Sequence, residues 1–518
     1  MKQVHIYINM ILFILLFYTS YGQDFTYQKS DLIYKSHNKL NRFTSLTNMV
    51  MTDQGPLGIY VNQTANYNQK YVDDNEAILR SFDKKLHLNL EKDFTAGRSN
   101  TNVFDLVYSN GKIYCFYTLK NKDILEMNIA EINPLTLEVA NEQKNIYSFE
   151  YTPTFGTSKV MQVLRSADSS KYIIYYESWA ESLGERERYY TRKAPQHLQY
   201  VVLDKNMKKI YDKNYEFPCK NKEMKYKGFV AGNDGSLNIL YYFYPGGNNE
   251  DKKDKLDGET VSPYELKFRR VDDKSDKEYS ISIFGKFIET ITVEEWPGNN
   301  QYIIGGIYKD NYKDKAIGVF MAKVSGDENT FKIMTSPFPS EINKNIPENA
   351  NFYNPGMGPR EGIQTRLLQP LKFVRSGNAM YMFSQYYWLK SKVVMGSVFT
   401  YITGDILVTR FDNSGKINTS NIPLPSIGQT VSFESSNIFF NNNNLYLMLG
   451  MVGNKKEGEF KVLKIDADGK LTIEDIFNNV DQDGYGVYGN DIIRATEKDF
   501  FREGSNDFAK KCYWFKLK

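Results

Sequence analysis

The chain has 518 residues, with 65 Lys and Arg against 62 Asp and Glu, 4 His and 3 Cys. A charged share of 25% and a hydrophobic share of 41% describe a folded protein and exclude wholesale disorder. A net charge of +3 leaves no electrostatic footprint for nucleic acid, and three cysteines cannot build a disulfide scaffold.

Residues 1–22 have the form of an export signal. Lys2 and His5 precede an apolar stretch from Ile6 to Phe17, and the small residues Ser20 and Gly22 stand before Gln23. That stretch is shorter than the roughly 18 apolar residues a membrane-spanning helix needs, and no later segment reaches that length. The expected mature chain is one domain, 23–518, exported to the periplasm, cell surface or medium, with no transmembrane segment after signal cleavage. A strand, Asp24–Tyr34, opens it.

From Ser45 onward, short alternating runs rich in Val, Ile, Tyr and Phe are separated by Asn, Asp and Gly. A charged turn recurs between two such runs. It reads Phe82-Asp83-Lys84-Lys85, Leu203-Asp204-Lys205-Asn206, Val271-Asp272-Asp273-Lys274, Phe411-Asp412-Asn413-Ser414-Gly415 and Ile465-Asp466-Ala467-Asp468-Gly469. Ile132-Asn133-Pro134 and Val324-Ser325-Gly326-Asp327 are looser copies. Asp, Asn and Gly suit tight hairpins, which need positive φ or a local side-chain cap. Each unit divides into four strands, A to D. The second reads Val103–Tyr108, Ile113–Leu119, Leu125–Ile132 and Glu138–Phe149, and the third Lys159–Leu164, Tyr172–Ser178, Leu198–Leu203 and Lys209–Phe217. The seventh reads Ser436–Phe440, Leu445–Val452, Phe460–Ile465 and Lys470–Phe477.

Four-stranded antiparallel units in series predict an all-β fold, a single β-propeller. On this turn chemistry the chain resembles a secreted bacterial β-propeller, a resemblance of architecture that implies no activity. The tail supplies three strands, Asp491–Ala495, Asp499–Arg502 and Lys510–Lys518, and lacks a fourth. The N-terminal strand can complete that last blade and close the ring, which predicts eight blades, with seven as the alternative. Tandem β-sandwiches also consist of many short strands, but they do not explain an end one strand short.

In a propeller the A–B and C–D turns share one face, and the B–C and D–A connections the other. The long insertions Gln63–Asn75, Trp179–His197, Pro245–Pro263 and Trp388–Gly404 read as B–C loops, and Pro339–Arg366 as a D–A loop. All fall on one face, where long loops on a rigid scaffold carry function. Trp179, Arg186, Arg188, Tyr189, Tyr190 and Arg192 crowd one of these loops, with His197 at its end. Tyr387 and Trp388 stand at the root of another, and Tyr353, Arg360 and Arg366 come from the D–A loop. Arginine forks suit carboxylate or phosphate, and aromatic faces suit sugars or apolar groups, so these residues are the candidate ligand contacts. Aromatic packing within the loops themselves is the competing reading.

Enzyme signatures are scarce. Ser166-Ala167-Asp168-Ser169-Ser170 and Ser325-Gly326-Asp327-Glu328-Asn329 lack the Gly and Trp of sialidase-type blades, and neither WD nor kelch marks recur. Glu294-Glu295-Trp296 is the most suggestive acid string, yet it falls on the short-turn face. Asn479, Asp481, Asp483, Gly484 and Asn490 have calcium-loop spacing without the closing Glu, and read as a plain turn. Cys115 and Cys512 read as buried hydrophobes, and Cys219 as a loop residue. No catalytic residue, metal or cofactor is expected. The sequence predicts an exported propeller, a binding protein or scaffold that contacts a protein, peptide or glycan through its long-loop face, with a carbohydrate-active hydrolase or lyase as the alternative.

Overall fold

The structure, a computed structural model, describes residues 25–30, 34–35, 44–62, 76–98, 100–122, 124–150, 159–178, 195–220, 223–245, 264–283, 286–296, 301–310, 316–325, 331–339, 351–352, 362–376, 379–393, 397–412, 414–422, 438–442, 444–452, 458–465, 471–477, 492–496, 498–505 and 509–518. Among them every regular element is a strand, apart from a single 3-10 residue, and the strands form eight antiparallel sheets arranged as the blades of a propeller. Strands are named by blade number and by letter, A to D. Blade 1 is Thr44–Thr52, Gly55–Asn62, Glu76–Phe82 and Leu88–Asp93; blade 2 is Thr101–Ser109, Lys112–Asn121, Ile124–Ile132 and Val139–Glu150. Blade 3 is Lys159–Arg165, Lys171–Ser178, Pro195–Asp204 and Lys209–Lys220; blade 4 is Met224–Ala231, Leu237–Phe243, Glu265–Val271 and Asp276–Ile281. Blade 5 is Phe287–Trp296, Gln301–Lys309, Gly318–Ser325 and Phe331–Pro337; blade 6 is Gly362–Ser376, Ala379–Val393, Ser397–Asp412 and Ile417–Ile422. Blade 7 is Ile438–Asn441, Asn444–Val452, Gly458–Ile465 and Leu471–Phe477.

Blade 8 joins the two ends of the chain. Its A, B and C strands are Ile493–Arg494, Asp499–Ser505 and Ala509–Leu517, and its outer strand is the N-terminal Phe25–Lys29, in register from Phe25↔Leu517 to Lys29↔Tyr513. The expected eight-blade count and the borrowed strand both hold. Two short additions sit outside the four-strand plan. Asn351–Phe352 runs parallel to 6A, and Tyr34–Lys35 pairs with 8C.

Blades are held together by apolar seams between sheets, because each sheet buries both faces. Leu57, Ile59 and Leu79 of blade 1 pack with Leu106, Cys115 and Ala130 of blade 2. Comparable clusters join blades 2 to 3, 3 to 4, 4 to 5 and 5 to 6, and strand 7A lies against 6A. Phe439 and Met448 of blade 7 meet Phe500 and Tyr513 of blade 8. Phe501, Cys512 and Trp514 of blade 8 then pack on Leu46, Met49 and Tyr60 of blade 1, which returns the succession to its start. Tandem sandwiches, with sheets packed in isolated pairs, are excluded by this seam pattern. The aromatic load serves it: Tyr60, Tyr117, Tyr175, Tyr241 and Tyr302, one from each B strand of blades 1 to 5, are fully buried.

The recurring turn follows from side-chain capping. Asp83 Oδ1 accepts the N–H groups of Lys85 (2.7 Å) and His87 (2.9 Å). Asp204 Oδ1 does the same for Asn206 and Lys208, and Asp272 for Lys274 and Ser275. Three residues after the acid the chain turns left-handed, at Leu86 (φ 64), Met207 (φ 62) and Gly415 (φ 87). A left-handed leucine costs roughly 1–2 kcal/mol. Leu86 and Met207 are wholly buried, and burying such a side chain contributes about 1.5–3 kcal/mol, which offsets that cost.

Inner strands carry β-bulges in five blades, between Leu46 and Asn48, Val103 and Asp105, Tyr226 and Gly228, Ile288 and Thr290, and Pro370 and Lys372. Each bulge breaks the alternation of the strand and re-aims the residues beyond it.

Candidate functional site

The two faces of the ring differ in construction. Every A–B and C–D connection is short; the longest interval between strands on that face is 133–138. These turns are tied together across blades. Ser109 Oγ donates to the Lys205 carbonyl (2.8 Å), and Asn110 bonds Asn206 (2.6 Å). Asp168 N–H donates to Asn233 Oδ1 (3.0 Å), Tyr211 to the Gly235 carbonyl (2.8 Å), and Lys213 to the Asp272 carbonyl (2.6 Å).

The opposite face receives the intervals 63–75, 179–194, 244–264, 338–361, 423–437 and 478–492 between successive strands. Its most extended described feature is on blade 6. Strand 6D pairs with 6C only as far as Ile406↔Ile422, while 6B and 6C continue paired from Tyr387↔Thr403 to Val393↔Ser397. At about 3.3 Å per residue, this β-ribbon carries the ladder roughly 25 Å past the last 6D pair. The segment expected as the loop Trp388–Gly404 is therefore a hairpin extension. Val393, Val398, Phe399, Tyr401 and Ile402 supply the β-branched and aromatic residues that favour strand there.

Tyr387 and Trp388 accordingly lie within strand 6B, and Arg366 within strand 6A rather than in a D–A loop. The ladder sets Arg366 opposite Tyr387 and Thr365 opposite Trp388, so three expected contact residues share one ribbon root. Trp179, Arg186, Arg188, Tyr189, Tyr190, Arg192, Tyr353 and Arg360 lie outside the described residues, as do the calcium-spaced residues from Asn479 to Asn490. His197 is exposed on strand 3C, 3.7 Å from Glu216.

One cluster on the long-loop face was not read from sequence, because its connection, 94–100, is short. Arg98 lies over the rings of Phe94 (5.1 Å) and Tyr117 (5.2 Å) and bonds Tyr117 Oη (3.0 Å) and Glu142 (2.7 Å). Gly97, at φ +75, provides the bend before it. The guanidinium is spent on these partners, so the cluster anchors the blade 1 to blade 2 connection.

Two inner-strand acids are perturbed. Asp105 on 2A is half-buried, and its Oδ1 accepts Asn48 Nδ2 (2.6 Å) and the Leu106 N–H (2.7 Å). Burial pushes its carboxyl up to about 6 in spite of these bonds. Glu295, at the short-turn end of 5A, is buried. Its Oε2 accepts the Ala167 N–H (3.4 Å), and burial pushes the carboxyl up to about 7.

Cys115 and Cys512 are buried and free, as expected. Cys219 closes strand 3D rather than lying in a loop, with its thiol 3.8 Å from Met224 Sδ. Among the described residues no group of three or more His, Cys, Asp or Glu could hold a metal ion, and no helix is long and apolar enough to cross a membrane.

No family model and no curated protein matches the chain. Among solved structures it is similar to a polysaccharide lyase, the PL25 ulvan lyase bound to -[GlcA(1-4)Rha3S]-, at 9% identity and a TM-score of 0.38 over 79% of this chain and 90% of that one. It is also similar to the WD40 domain of SCAP from fission yeast, at 6% identity and a TM-score of 0.42 over 96% of each chain. A variant of the Synechocystis apocarotenoid oxygenase matches at 11% identity and a TM-score of 0.35, over 90% and 95%. Likeness of this degree carries no statement about activity.

Proposed function

We propose that the protein is an exported β-propeller that binds a protein, peptide or glycan ligand through the face bearing the B–C and D–A connections. The asymmetry of the ring carries this reading: one face is laced by turn-to-turn hydrogen bonds, and the other takes every long interval and the blade 6 ribbon. A rigid ring that concentrates its long segments on one side offers them at low ordering cost. Arg366 and Tyr387, paired in the ladder, and Trp388, the next residue along 6B, are the residues offered for the charged and aromatic parts of such a contact.

Two shortened proteins test it. One replaces 180–193 by a four-residue turn, and the other replaces 389–401 by Asn-Gly. Both are expected to keep the far-UV CD spectrum of the parent. On a glycan and peptide array, each is expected to lose at least tenfold in affinity for the ligand the parent retains. Unchanged binding by both variants would exclude this face. New reducing ends released from a bound glycan would replace binding by catalysis.

A further inference from the structure

Glu295 joins three blades. It stands on the inner strand of blade 5, opposite Tyr302, and its Oε2 accepts the N–H of Ala167 in the A–B turn of blade 3. The N–H of Asn233, in the A–B turn of blade 4, is directed at the same carboxyl, and Asn233 Oδ1 in turn accepts the Asp168 N–H (3.0 Å). The residue is 6% exposed, and Oε1 is buried without a hydrogen-bond partner. Oε2 is thus committed to the blade 3 turn, and Oε1, without a partner, is the place for a proton.

We propose that the Glu295 carboxyl is a proton-operated latch: protonated on Oε1 it stays buried and ties the turns of blades 3 and 4 to blade 5, and deprotonated it leaves and frees them.

The surroundings fix the sign. From the blade 3 turn, Asp168 faces the carboxyl. Burial opposes its charge, but the Ser170 N–H and Ser166 hydroxyl prevail and hold it below its usual range, so it is ionised. Lys171 lies beside Asp168. Glu294 adds a second negative charge from the same strand, and Tyr302 on 5B contributes a neutral phenol. From blade 4, Arg270 is engaged by Asp234 and lies 3.9 Å from Asp272. From 5C, the Lys323 ammonium sits over the Trp296 ring at 4.8 Å. No Lys or Arg among the described residues pairs with Glu295. An ionised Glu295 is therefore buried beside like charge with two N–H donors for compensation. Burial is the largest of the effects that bring its protonation to about pH 7, ahead of the repulsion from Asp168 and Glu294. Charging in place is the unfavourable state, and swinging to solvent relieves it.

Amide hydrogen exchange on the full chain tests the latch, read on peptides covering 165–171 and 231–237 and corrected for intrinsic rate. With a midpoint near 7, the ionised fraction rises about tenfold between pH 6 and pH 8.5, so protection of both turns is expected to fall by about that factor. The turn at 109–112, which has no carboxylate bridging it to other blades, serves as the control and is expected to stay level. Glu295→Gln keeps an acceptor for the turns and cannot ionise, so its protection is expected to be pH-independent. Level protection in the parent, a parallel fall in the control turn, or the same fall in Glu295→Gln would each overturn the proposal. The parent series decides alone if the variant does not fold.

Discussion

The outer strand of blade 8 has five residues, and Ser30 immediately after it offers a clean perturbation. Its N–H donates to the Cys512 carbonyl (2.8 Å), and its hydroxyl accepts the Cys512 N–H (2.8 Å). Both residues are buried, Ser30 at 4% and Cys512 at 0% exposure. Ser30→Ala keeps the first bond and deletes the acceptor of the second, which leaves a peptide N–H buried without it. An orphaned buried donor costs roughly 1–3 kcal/mol, so a middle value of about 2 kcal/mol is expected. If that cost falls on the closed state of the N-terminal strand, its opening equilibrium rises about 30-fold, at about 1.4 kcal/mol per factor of ten. The Cys512 thiol reports the opening directly. In a Cys219→Ser background, labelling by an aromatic disulfide is expected to be about 30-fold faster at Cys512 and unchanged at Cys115, which is buried in blade 2. Equal Cys512 rates in parent and variant would refute the energetic assignment. A parallel rise at Cys115 would show that the whole ring opens, not the borrowed strand.

Two further outcomes follow from particular contacts. Gly305→Ala places a Cβ 2.4 Å from Phe373 Cζ and 3.2 Å from Met382 Sδ in the seam of blades 5 and 6. Overpacking of this kind costs about 1–3 kcal/mol in urea unfolding, and a change below about 0.5 kcal/mol would contradict the seam packing. Asp105, raised to about 6 by burial, binds its proton more tightly folded than unfolded. Its stabilising contribution is full below its ordinary value near 4 and lost as pH rises through 6. Asp105→Asn should therefore gain on the parent between pH 4 and pH 6.5 and then level off at about 1–2 kcal/mol, a figure lowered for its partial exposure. Parallel pH profiles of the two unfolding midpoints would count against the burial.

Most of the architecture was legible because it is written in local chemistry. Asp83, Asp204, Asp272 and Asp412 cap their own turns, so each announces a C–D hairpin within a few residues. The tail one strand short and the spare N-terminal strand likewise met as blade 8. Other features leave weaker local marks. The left-handed Leu86 and Met207 look like ordinary apolar residues, since their conformation is held by the Asp cap and by burial under the neighbouring sheet. Inner-strand bulges shift the alternation by one residue, as in the Phe104–Asp105 step, and in a short strand this resembles loss of pattern. The blade 6 ribbon was missed for another reason: between Leu389 and Tyr401 only Gly396 marks a turn, and the strands outrun the usual blade length.

The proposed site is legible in the sequence to the level of a face and no further. Face assignment needs only strand order, which the turns supply. Which side chains meet depends on pairing between segments far apart in the chain. Arg366 pairs with Tyr387 in a ladder register with a shift after it, and Glu295 reaches Ala167 across 128 positions and one intervening blade. Neither relation has a local signature. Glu294 and Glu295 show the consequence. As adjacent acids beside Trp296 they invite a catalytic reading, yet they differ in burial: Glu295 is buried against two turns, whereas Glu294 is only partly covered. The pair is therefore one structural carboxyl and one like charge that raises the cost of ionising it. What the string encodes is coupling between blades, which leaves the proposed ligand contact to the long-loop face alone.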